Sequence, residues 1–380
     1  MLGPLDDTLW HQLPTTFDHV GTSDPRFFDR YWFAVYEPGG AAAAQVTLGV
    51  YNNMNVVDGG AVVVRGTRQY NLRASRSLRP RFEASVGPLA IDVLEPLAQH
   101  RIRIDPARRE RSLPRLACNL HWSAVLPPEE ERPHFRRERG RAVEDYQRFN
   151  QVGEVSGWIE VGDERLEVAR WWSCRDHSWG LRQGIGIAEP VTGPVPAASQ
   201  VGSLFCFLFF STAQWAGHVQ ILERGSERLY LTGLLRPRGE AAARGPARER
   251  RVADAQLRFA LFPDTRRFRE ATLALRLDSG EALELRAEPL GCSIAMPGLG
   301  YGGWNDGRGL GAWRGDAHEE GEIWDVADPE RVIREDGREE RPVHRIAPVR
   351  VESGAPGGDR GTGSLTFIAL GRLPQYGLEG

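Results

Sequence analysis

Residues 153–182 constrain the fold of this chain more than any other stretch. Residues 155–161 and 165–172 alternate apolar and polar side chains, and Gly162, Asp163 and Glu164 supply a turn between them. Alternation with a period of two puts successive side chains on opposite faces of a pleated strand, so an antiparallel hairpin is expected here. Comparable short β-prone segments recur before it, at 30–36, 45–51, 61–65, 67–73, 81–86, 89–95, 99–104 and 116–126. They recur after it at 204–210, 218–223, 229–235, 256–262, 271–277, 282–288 and 365–370. Turn residues separate them throughout, which argues for an all-β protein of two sandwiches or barrels. Asp58-Gly59 between apolar runs reads as a hairpin turn. The one good short helix is expected at 142–149, with short pieces near the N-terminus. Residues 237–251 read as a polar exposed loop and 353–363 as a flexible glycine-rich one. A Pro- and Gly-rich connection near 184–196 divides the chain into expected domains 1–190 and 191–380.

Charge and residue choice remove several functional classes. The net charge is -3, and the 48 basic residues are all arginine. Without lysine there is no P-loop lysine, no Schiff base and no lysine general base. A near-neutral chain whose basic run at 136–141 lacks interleaved aromatics is not expected to bind nucleic acid. Cys118, Cys174, Cys206 and Cys292 lie far apart, as reduced buried thiols of a cytoplasmic protein would. The longest apolar run, 204–210, is too short for a bilayer, so no stable membrane insertion is expected. The N-terminus carries Asp6 and Asp7 and no basic region, unlike a signal peptide. Residues 298–303 satisfy GxGxxG but open no helix in a βαβ unit. No HExxH is present, and His121, His177, His218 and His318 are scattered, so neither metal nor cofactor is expected. Nothing in the pattern fixes the oligomeric state; a homodimer is left open.

Between 169 and 182 the chain places an acid, an imidazole, arginines and three indoles close together. If the second hairpin strand runs on unbroken, Trp171, Arg175, His177 and Trp179 share one face, while Cys174 and Asp176 take the other. A bulge at Gly180 would re-aim Asp176. Two readings stand. In one, Asp176 and His177 transfer a proton, Trp171 and Trp179 face a cation, and Arg175 and Arg182 orient a polar head or fix Asp176. In the other, the cluster is a buried polar corner satisfied by hydrogen bonds. Glu319 and Glu320 are further candidate acids, or simply part of a solvated loop. Asn53 and Asn55 line a cavity or serve a turn, and Trp304, in the glycine-rich stretch 298–315, joins the candidate substrate-binding residues.

Three features resemble the carotenoid 1,2-hydratase and AttH-like family: the aromatic strand at 30–36, the Asp-His-x-Trp-Gly core of residues 176–180, and the two β-rich halves. The similarity is to a bacterial branch carrying Arg-Asp-His-Ser-Trp-Gly, here Arg175 to Gly180. Tocopherol cyclase and some fungal Diels–Alderases share that architecture. The resemblance implies two tandem lipocalin-like β domains and a hydrophobic cavity, often between them. It also implies roles for His177 and Trp179. The hydratases carry a carboxylate near a tyrosine on the following strand; residues 204–210 have neither, leaving Asp176, His177 or Glu319 and Glu320 as donors. The expected function is cofactor-independent acid–base chemistry on the alkene of a terpenoid, sterol or related lipid: hydration, dehydration, isomerisation or cyclisation. The alternative is a non-catalytic binding protein for a hydrophobic ligand. A glycoside-active sandwich would instead need two carboxylates in an open groove.

Overall fold

In the computed structural model, the described residues are 2–379 apart from 12–15, 17, 109, 139, 187–192, 194–200, 240–248 and 355–357. Among them there are strands and 3-10 turns such as Pro4–Asp7, and no helix long and apolar enough to cross a membrane. The first half supplies β1 (Phe27–Tyr36), β2 (Ala42–Tyr51), β3 (Val56–Arg65), β4 (Arg68–Ser77), β5 (Ser85–Val86), β6 (Leu89–Glu95), β7 (Gln99–Ile104) and β8 (Leu116–Ala124). It continues with β9 (Glu129–Glu130), β10 (His134–Glu138), β11 (Arg141–Val161) and β12 (Glu164–Leu181). The main path of this sheet is β4-β3-β2-β1-β12-β11-β8-β7-β6-β5. It curls until β5 and β6 lie over β3: a Cβ at Gly59 would meet the side chains of Leu89 and Val86, so only glycine allows that approach.

The second half supplies β13 (Ser203–Thr212), β14 (Trp215–Arg224), β15 (Glu227–Pro237), β16 (Arg250–Leu261), β17 (Phe268–Leu277), β18 (Ala282–Pro289) and β19 (Ile294–Ala295). Next come β20 (His318–Glu320), β21 (Ile323–Asp325), β22 (Val332–Arg334), β23 (Glu339–Glu340), β24 (Arg345–Ser353) and β25 (Asp359–Leu370). β13 to β18 with β24 and β25 close into a barrel through β18–β24 pairing, which removes the exposed edges of an open sheet. β20 and β21 return to the first sheet and pair with β4. The connection expected near 184–196 falls largely outside the described residues.

Three local expectations are corrected. Residues 142–149 are strand, not helix: β11 pairs with β12 from Asp145 onward and buries Tyr146, Arg148 and Phe149, so tertiary pairing overrides a weak local preference. Asp58-Gly59 lies inside β3, and the turn is Asn52–Met54 with Asn55 left-handed at φ 56°. Asp58 is buried there, accepting from Tyr51 and from the Gly311 amide. Residues 359–363 are part of β25, because a flat glycine face lets Gly361 pass the Ser211 carbonyl.

The curled first sheet, called the first barrel although its two ends do not pair among the described residues, and the closed second barrel both have apolar interiors. Leu48, Val57, Ile102, Leu120, Trp122 and Val155 fill the first, and Leu208, Phe210, Val219, Leu273 and Leu365 the second. A third cluster joins them: Trp32, Tyr36, Trp172 and Cys174 of the first barrel pack against Phe207 and Phe209. Hydrogen bonds stitch the same face, from Trp172 to Ser211 at 3.0 Å and from Arg148 to Gln220 at 3.2 Å. The outer face of β1, β11 and β12 therefore packs against the second barrel.

Candidate active site

β12 carries one bulge, at Ala169–Arg170 opposite Ser156, where Arg170 is left-handed at φ 54°, and its pairing with β11 is regular from Trp171 to Leu181. Gly180, at φ 130°, passes the Asp145 carbonyl closely enough to exclude a Cβ but does not re-aim the strand. Alternation therefore holds. Trp171, Arg175 and His177 point into the first barrel with half-buried Trp179 beside them, and Cys174 and Asp176 point toward the second. Asp176 and His177 do not form a pair.

On the inner face, His177 Nε2 lies 2.7 Å from Asp29 Oδ1, and His11 Nδ1 lies 3.0 Å from Asp29 Oδ2. Tyr31, Phe149 and Trp179 pack round the His177 ring, and Trp179 stacks on His11 at 3.5 Å. Burial pushes the Asp29 carboxyl up, but the two imidazoles outweigh it and hold the group at about 2. Burial lowers the His177 pKa, against the opposing pull of Asp29. One strand step away, Arg175 bonds Asp7 at 2.7 Å and Gln151, and lies against Trp122 and Phe149. Asp7 comes from the N-terminal turn, so this network anchors that turn inside the barrel.

His11, Asp29 and His177 are the group among the described residues whose donor atoms gather as metal ligands would, within 4.8 Å. Their geometry favours a hydrogen-bonded relay instead. Both carboxylate oxygens are taken by imidazoles, and His177 Nδ1 has no partner, whereas a ligating imidazole ordinarily donates its second nitrogen to an orienting acceptor. His177→Ala is accordingly expected to lower stability by roughly 1–3 kcal/mol. Denaturant melts that show no loss of stability would contradict this structural role.

The outer face differs. Asp176 is surrounded by protein yet keeps accessible surface, so its carboxyl faces an internal crevice between the barrels. Burial raises its pKa above the ordinary range, against the pulls of Arg148 and Arg182. His344 has the same combination of enclosure and accessible surface, and burial lowers it to about 4, with Arg182 acting in the same direction. Its ring lies 5.3 Å from Tyr301, and the guanidinium groups of Arg30 and Arg182 lie 4.9 and 5.9 Å from the Tyr301 ring. Asp176, Arg182 and His344 have no side-chain hydrogen bond or ion pair among the described residues. The neighbouring charges, by contrast, are committed. Arg30 faces Asp58 at 3.7 Å, and Arg148 faces Glu131 at 3.5 Å.

Glu131 also binds His134 at 2.7 Å and Asn150 at 2.6 Å, and Glu129 binds His218 across the interface at 2.9 Å. Burial pushes Glu131 up, but Arg148 and His134 hold it at about 2. A depressed carboxyl stabilises the fold above its unfolded pKa and loses that contribution as pH falls toward the folded value. Wild-type stability is expected to fall by roughly 3 kcal/mol more than that of Glu131→Gln between about pH 4.5 and pH 2. Parallel acid melting curves would refute the assignment.

The other expected residues lie elsewhere. Glu320 is paired with Arg73 at 2.7 Å, and Glu319 accepts the Glu110 amide and lines a surface cleft of about 440 Å³. Both sit on β20 at the β4 edge, with β3, β2 and β1 between β4 and β12. Trp304 packs under Arg314 at 3.9 Å. Asn53 ties down the carbonyls of Thr22 and Asp24, and Asn55 binds Arg79. Trp171, Trp179 and Arg175 belong to the inner face. Of the expected set, Asp176 and Arg182 share the crevice. Sequence reasoning missed Asp7, Asp29, His100, Arg148, Tyr301 and His344. Asp29 carried a usable signal, since it alternates with Tyr31 and Phe33 on β1.

Over residues 2–379 the sequence matches a family described as a family of unknown function, DUF8625. No curated protein matches it in sequence. Among solved structures, kievitone hydratase from Nectria haematococca is similar over 95% of this chain and 96% of its own, at 10% identity and a TM-score of 0.48. Two structures of CghA, one with Sch210972, are similar over 91% of this chain and 89% of theirs, at 10% identity and a TM-score of 0.45.

Proposed function

The chain belongs to that family of unknown function along nearly its whole length, and we propose that it is a cofactor-independent enzyme. In this reading it moves a proton on a small hydrophobic molecule held between the barrels. The observation that carries the reading is Asp176: an enclosed carboxyl with a raised pKa, no hydrogen-bonded partner, and accessible surface beside unpartnered Arg182 and His344. Buried polar groups are ordinarily satisfied within the fold, so three side chains left without partners on one crevice are suited to a ligand. A carboxyl whose pKa burial raises is better matched to general-acid work than one at the ordinary value.

The chemistry is hydration, dehydration or isomerisation of an alkene. The Asp176 O–H protonates one alkene carbon, and the adjacent carbon becomes cationic. Water adds there and gives its proton to neutral His344, or a neighbouring carbon returns a proton to the Asp176 carboxylate. No redox change occurs in either route. Arg182, backed by Arg148 and Arg30, would hold an oxygen-bearing head group, and the ring of Tyr301 supplies an aromatic wall. A terpenoid, sterol or related lipid with a carbonyl, phenol or carboxylate fits that division. The Arg-Asp-His-Ser-Trp-Gly motif supports placing the chain with the carotenoid 1,2-hydratase and AttH-like proteins. In this placement the motif's aspartate does the chemistry, and its histidine supports the barrel.

Mass spectrometry of small molecules that co-purify with the protein from a cell extract tests the reading. Wild type is expected to bind and convert one of them, and Asp176→Asn to bind it unchanged. A ligand bound by both proteins and converted by neither would make this a binding protein.

A further inference from the structure

The mouth of the C-terminal barrel holds a cavity of about 270 Å³, walled by Phe262, Phe268, Phe367 and Ala347 and by Arg267 and Arg345. Phe268, Ala347 and Phe367 belong to that barrel's own core. An eight-stranded barrel is just wide enough to be filled by side chains or to hold one small ligand. Two guanidinium groups set this mouth apart from an incompletely filled core. Arg345 is 3% exposed and gives its N–H groups to Ser293 Oγ and to the main-chain oxygens of Ser293, Val326, Asp328 and Arg331. Arg267 gives its terminal nitrogens to the main-chain oxygens of Pro342 and Val343, while its Nε has no partner. Neither pairs with a carboxylate among the described residues, and nearby Asp328 is held by Arg331 at 3.0 Å. Burial lowers Arg345 to about 10, and the positive charge of Arg267 acts in the same direction. Glu330 and Asp328 act on half-buried Arg267 and on enclosed Arg345 only through space, so an anion in direct contact with Arg267 would offset more of the cost of holding two cations together.

We propose that this mouth is a second binding site, separate from the interdomain crevice, for a small monocarboxylate with a compact apolar body. The carboxylate accepts from the N–H groups that Arg267 does not give to the main chain, and the body lies among Phe262, Phe268 and Phe367. The charge of Arg345, whose five N–H groups are all given to the protein, acts through space. The volume excludes a sterol or a two-chain lipid. Cys292 stands on the same wall and is half-buried, whereas Cys118, Cys174 and Cys206 are buried. Its alkylation therefore reports whether the mouth is filled.

Octanoate and octan-1-ol share a chain length and differ in head charge. By calorimetry on the full chain, octanoate is expected to bind at least about tenfold more tightly than octan-1-ol. It should also slow alkylation of Cys292 by iodoacetamide. Arg267→Gln should remove most of the preference for octanoate. Ala327→Trp, at an exposed position on the rim, should weaken both ligands without disturbing the core. Three results would each overturn the proposal: no octanoate binding at millimolar concentration, equal affinity for acid and alcohol, or binding that survives both variants and leaves Cys292 unprotected. Octanoate binding lost in Arg182→Gln and kept in Arg267→Gln would assign the ligand to the crevice instead, and also overturns it.

Discussion

Asp176→Asn is expected to melt at a higher temperature than wild type at neutral pH and to turn its substrate over ~100- to 10,000-fold more slowly, the usual range for losing a general acid. The two effects have one cause. Burial raises the Asp176 carboxyl despite Arg148 and Arg182, so the folded state holds the proton more tightly than the unfolded chain does. As pH climbs past the ordinary carboxyl value of about 3.9, the unfolded chain ionises freely and the folded one resists, so stability falls with rising pH. Asparagine carries no such penalty, and its advantage should vanish in acid. Paired melting curves from about pH 3 to pH 8 check this. A variant that melts lower than wild type at neutral pH would make Asp176 a structural carboxylate.

Arg175→Met is expected to cost about 3–5 kcal/mol, the range for removing one partner of a buried ion pair. Arg175 and Asp7 are both fully enclosed at 2.7 Å, and Gln151 and His100 complete the network. The variant leaves an ionised Asp7 in the barrel interior with His100 as its neighbour. Asp7→Asn combined with Arg175→Met should cost less than the sum of the single changes, because the second change removes the charge that the first strands. Additive losses in denaturant melts would show that the two residues act independently.

The alternating segments made both β-rich halves legible, and the period of two along residues 171–180 made the two faces of β12 legible. It separated Arg175 and His177 from Cys174 and Asp176 correctly. What the sequence could not supply was the identity of each partner. Asp29 reaches His177 only because β1 pairs with β12 in a register that sets Tyr31 opposite His177, and register is fixed by long-range packing. His344 reaches the crevice from a segment that enters β24, far from β12 in sequence, and no local pattern marks it. The polar run at 142–149 looked helical because its burial comes from β12 and the second barrel, neither of which is written in its own residues. Asp58-Gly59 resembled a turn for a similar reason. Its glycine serves the approach of Leu89, and its aspartate serves Tyr51 and Gly311.

Transfer of a deuteron to carbon tests the role of Asp176 most directly. Wild-type protein, Asp176→Asn and His177→Ala would each be incubated with a cell lipid extract in D2O, and non-exchanging carbon-bound deuterium would be read by mass spectrometry. Wild type and folded His177→Ala are expected to label the same compound, and Asp176→Asn to leave it unlabelled. Equal labelling by Asp176→Asn and wild type, or labelling lost only in His177→Ala, would contradict the assignment of proton transfer to the crevice.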